Sequence, residues 1–129
     1  MPIAPGEPAP WFTAPTPSNP EFVFDTAAGR YVLLVFLPKD DAMAAGEALR
    51  AIAAQRSRFD DERLSAFVVV RDPVTAASAR DLRGLRWFLD LDGAVSRLYG
   101  ALADDGAEHP MWLLLDPTLR MIGRVQIGK

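Results

Sequence analysis

The chain has 129 residues, no cysteine and one histidine, and 14 basic against 17 acidic residues give a net charge of −3. That length suits a single domain, and a composition that is half hydrophobic excludes a disordered polymer. The acidic balance speaks against a nucleic-acid partner, whose binding is driven by a Lys/Arg excess.

Absence of thiols removes disulfides, thiolate zinc sites, iron–sulfur ligation and every thiol mechanism. His109 alone cannot form a multi-histidine metal centre, so neither a metal nor a cofactor is expected. The longest apolar run, Tyr31 to Leu37, falls far short of the about 20 residues of a membrane span. The N-terminus lacks the basic start and apolar core of a secretory signal. A cytoplasmic domain with no membrane contact is the expectation.

Seven of the first twenty residues are proline, which excludes a helix or a central strand there. Residues 1–20 read as an extended leader packing on a core formed by residues 21–129, with Trp11 and Phe12 as its pins. Phe22-Val-Phe24 suits a short strand, and Ala28-Gly29 a turn. Tyr31 to Leu37 reads as a strand buried on both faces and ended by Pro38. Asp40 or Asp41 caps a helix from about Ala42 to Ser57. Leu64 to Val70 is a second buried strand. Asp72-Pro73 opens a helix over Thr75 to Leu82, with Gly84 as its stop. Leu85 to Leu89 suits an edge strand, and Asp92-Gly93 a turn. Ala94 to Tyr99 forms one or two helical turns stopped by Gly100. Asp104 to Glu108 is a polar loop, Met111 to Leu115 a third buried strand, and Arg120 to Ile127 its hairpin partner. Alternating strands and helices with buried runs require crossovers and a partly parallel sheet.

Four segments carry a family resemblance: Gly6-Glu-Pro-Ala-Pro-Trp-Phe12, Val35-Phe-Leu-Pro-Lys-Asp40, Asp90-Leu-Asp-Gly93 through Tyr99-Gly100, and Trp112-Leu-Leu-Leu-Asp116. In this order and spacing the chain resembles the peroxiredoxin (AhpC/TSA, redoxin) family. The resemblance implies an α/β, thioredoxin-like fold: a mixed sheet with flanking helices, here without the C-terminal helix. It also implies a sheet face left without its cover.

The family's P-x-x-x-T-x-x-C motif aligns with Pro38 to Ala45. Pro38 matches, while Ala42 stands at the threonine position and Ala45 at that of the peroxidatic cysteine. His109 stands at the family's arginine position. An engineered Cys-to-Ala exchange at 45 would not account for Ala42 or His109. Peroxide reduction needs a soft, oxidisable nucleophile, so no catalytic residue is assigned. The resemblance implies an inactive module acting in packing, dimerisation or partner docking. Its expected partners are a second copy or a downstream catalytic domain, because the sequence is similar to domains N-terminal to 2-oxoglutarate/Fe(II) oxygenases. The alternative is a redoxin of changed chemistry, or a pocket for an anion or small ligand at the helix start near Ala42 and His109.

His109, Pro110, Met43 and Met111 are the candidate ligand contacts. Pro110 is expected to be cis, at the position of the thioredoxin-fold cis-proline. Trp87 and Trp112 read as core, and Asp60-Asp61-Glu62 with its neighbouring arginines as a solvated loop face.

Overall fold

The computed structural model describes residues 4–127; the first three leader residues and the Gly128-Lys129 end lie outside them. Seven strands appear: β1 (Thr13–Ala14), β2 (Phe22–Val23), β3 (Tyr31–Phe36), β4 (Leu64–Val70), β5 (Leu85–Leu89), β6 (Met111–Leu115) and β7 (Met121–Gln126). Three helices accompany them: α1 (Ala42–Ala54), α2 (Pro73–Ser78) and α3 (Ala94–Leu98). β1 and β2 pair as a small ribbon, and the other five strands form one sheet in the order β5-β4-β3-β6-β7. β3, β4 and β5 run parallel, β6 is antiparallel to β3, and β7 is antiparallel to β6.

The central strands explain the rest. β3 and β4 are apolar at almost every position and buried on both faces, so each face needs a cover. One face presents Val32, Leu34, Phe36, Phe67, Val69, Phe88, Leu113 and Leu115. The N-terminal segment straps across it. The Gly6 and Ala9 amides donate to the Met121 and Leu119 carbonyls on the β7 side, and the Leu89 amide of β5 donates to the Pro15 carbonyl. Phe12 is the wedge of this strap. Its ring stacks on Phe24 at 4.8 Å and meets Phe88 and Tyr99 edge-on at 4.9 and 5.8 Å, a geometry aromatic rings favour. The Tyr99 hydroxyl donates to the Pro10 carbonyl at 2.6 Å, tying α3 to the strap. Trp11, expected to pin the leader beside Phe12, is 68% exposed. Its neighbour on the alternating extended chain points inward, so Trp11 points out.

The other face is covered by α1. Ala44, Ala48 and Ile52 pack over Val35, Ala66, Val68 and Val70. Asp41 caps this helix by accepting from the Ala44 amide at 3.0 Å. The helix ends at Ala54, before the expected Ser57, and a short 3-10 turn follows over Arg56–Arg58. α2 starts and ends earlier than the sequence implies, because Asp81 is drawn out of it. The Asp81 carboxylate accepts from the Ser18 amide and hydroxyl and from the Trp87 amide. Gly84 therefore stops no helix. It turns at φ +76°, where a Cβ would lie 2.4 Å from the Asp60 nitrogen.

The charge run after α1 is built rather than merely solvated. Asp60 Oδ1 accepts from the Glu62 and Arg63 amides, and Asp61 forms a two-pronged pair with Arg86. These contacts hold both carboxyls below their ordinary range. Asp90, nearly fully buried, accepts from the Val95 and Ser96 amides and the Ser96 hydroxyl. It positions α3 from outside the helix.

Burial pushes the Tyr99 phenol well above its ordinary value. Between about pH 10 and that raised value, the folded state keeps a proton that the unfolded state releases. Stability should therefore fall as pH rises through this window. Tyr99→Phe should cost about 1 kcal/mol near neutrality and flatten the alkaline slope. Urea unfolding of both proteins from pH 8 to 11 reads both effects.

Candidate functional site

Chain leaving β3 meets Pro38, which cannot continue the ladder, and then turns through Lys39 and Asp40 into α1. This puts Ala42 at the first helical position and Ala45 one turn in, at the carboxyl ends of the parallel strands, where open α/β sheets bind their ligands. Pro38, Ala42 and Ala45 line one cavity of about 180 Å³, together with Val70, Asp72 and Thr75. Of the four positions singled out in the sequence, Pro38, Ala42 and Ala45 thus share a wall.

Several polar groups around that wall are already engaged. Asp41 takes the Ala44 amide through Oδ1, and its carbonyl takes the Ala45 amide. The Thr75 hydroxyl donates to Asp72 Oδ2 at 2.8 Å, the leading cause of the lowered Asp72 carboxyl. A helix start would otherwise offer free amides to an anion. Here the first turn is capped from within.

His109 lies elsewhere. It is exposed and lines a separate open depression of about 480 Å³ with Gly100, Ala103, Pro110, Met111, Arg124 and Gln126. His109, Pro110 and Met111 are therefore brought together, but not with Ala42. Met43 is 76% exposed and lines neither space. Pro110 is trans, since no cis peptide occurs among the described residues. The expected cis form is corrected by the ladder: the Ile127 amide donates to the Pro110 carbonyl at 2.9 Å. Extended pairing with β7 thus begins at the proline, and trans is the lower-energy isomer in any case.

Between the two spaces stands a cluster the sequence did not disclose. The Glu108 carboxylate accepts from the Lys39 amide at 2.6 Å, from the Asp40 amide at 3.2 Å and from the Arg71 guanidinium. Glu108 comes from the loop read as merely polar, and its partners lie 37 to 69 residues away. No local spacing could have announced them. Among the described residues no group of three or more His, Cys, Asp or Glu could hold a metal ion.

The site offers a shaped apolar wall, a capped helix and an internal ion pair, with no oxidisable nucleophile at the wall. A thiol placed at Ala45 tests the electrostatics of this wall. Ala45→Cys should titrate below the ordinary value of about 8.5, because it sits in the first turn of α1. Adding His109→Arg should leave that value unchanged, since residue 109 faces the other depression. The pH dependence of alkylation in the single and double variants reads both.

Comparison with known proteins bears on the fold and the family. The chain aligns at TM-score 0.75 with Mycobacterium tuberculosis AhpC, at 17% identity over 100% of this chain and 85% of that one. It aligns at 0.75 with the reduced 2-Cys peroxiredoxin of Plasmodium vivax, at 20% identity over 98% and 89%. It aligns at 0.76 with the yeast mitochondrial 1-Cys peroxiredoxin, at 17% identity over 96% and 67%. At these identities the likeness is one of fold. No curated protein sequence matches significantly. The AhpC/TSA family model matches residues 5–122, nearly the whole chain. With the sheet order and the capped helix after Pro38 now described, the chain belongs to the AhpC/TSA family, and it carries no cysteine.

Proposed function

We propose that this chain is a pseudoenzyme: a non-catalytic redoxin module that works by association, with a second copy of itself as the first partner. The observation that carries this reading is an apolar strip of sheet that the described residues cover only in part. α1 covers chiefly the β4 side of its face, with Leu33 and Trp112 partly buried against the cluster beneath it. Beyond Val35 the same face continues through Tyr31 and Leu33 on β3, Trp112 and Leu114 on β6, and Gly123 and Val125 on β7, as the pairs Leu33–Leu114 and Trp112–Val125 require. Tyr31 is 46% and Val125 64% exposed, and Leu33, Trp112 and Leu114 are half-buried. A groove of about 160 Å³ between α1 and Trp112 borders the strip.

The edge beside it is also open. β5, at the opposite edge, is blunted by Pro15 and Asp81. Among the described residues, the strap pairs with β7 at its start, where Met121 exchanges bonds with Gly6 and Glu7. An open edge strand next to a partly covered apolar strip suits pairing with a copy of itself across a two-fold axis. A downstream catalytic domain of a larger bacterial oxidoreductase, such as a 2-oxoglutarate/Fe(II) oxygenase, is the other occupant we consider for the same face. No helix among the described residues is long and apolar enough to cross a membrane, and we assign the module to the cytoplasm. We do not adopt an anion site shared by the α1 start and His109, because Asp41 caps the helix and His109 faces another depression.

Sedimentation velocity should show a dimer at micromolar concentration. Val125→Lys, with an unchanged far-ultraviolet spectrum, should sediment as a monomer. A monomeric wild-type chain would overturn the self-association and leave the strip to a catalytic domain.

A further inference from the structure

We draw no further inference here: the strongest candidate, the open depression beside β7 lined by His109, Pro110, Met111, Arg124 and Gln126, carries nothing, because its polar side chains are exposed and nothing in the structure shows what fills or covers it.

Discussion

Two adjacent strands that are apolar on both faces set the terms for this molecule. β3 and β4 bury nearly every side chain they carry, so neither face of the sheet can be left to water without cost. The covers are unequal. One face receives the whole N-terminal strap, with Phe12 wedged among Phe24, Phe88 and Tyr99. The other receives a single long helix, whose buried side chains are Ala44, Ala48 and Ile52. A helix packed through small residues sits close to the sheet and shields little beyond its own footprint. The partly buried strip through Leu33 and Trp112 to the exposed Val125 is the remainder of that division.

The same economy shapes the end of the sheet where the family performs its chemistry. Alanine at positions 42 and 45 leaves an apolar wall, and one amide of the helix start, that of Ala44, is taken by Asp41. Besides the Asp41 cap and the Asp72–Thr75 bond, one polar contact stands there, Glu108 on Arg71 and on the turn after β3. That contact links three segments distant in sequence and holds charge where the fold places its ligands. The polar groups at these strand ends are thus paired with an internal carboxylate.

Much of this was legible in the residues. Strands 64–70, 85–89 and 111–115 are bounded as the apolar runs imply, because continuous Val/Leu/Phe segments between Gly, Pro and Asp leave little choice. The mixed sheet followed from the strand–helix alternation, and the family from four short segments in order. What escaped was set by long-range contacts. Asp81 leaves the second helix for Ser18 and Trp87. Trp11 faces water because Phe12 takes the interior place. Leu119 adopts a left-handed φ of 63° while fully buried, a conformation local propensity would not assign to leucine. At the site, Pro38, Ala42 and Ala45 could be placed together from the motif alone. The separation of His109 and the capture of Glu108 depend on how the loop before β6 folds back.

If the partly covered strip and the open edge of β7 are where this module does its work, protection there must depend on a partner. Hydrogen exchange of the Gln126 amide across protein concentration tests this most directly, because by alternation that amide faces away from β6. The Leu89 amide on β5, bonded to Pro15 within the chain, serves as the internal reference. The account predicts that Gln126 exchange slows as concentration rises while Leu89 exchange stays constant. Gln126 exchange that is fast and independent of concentration would contradict it.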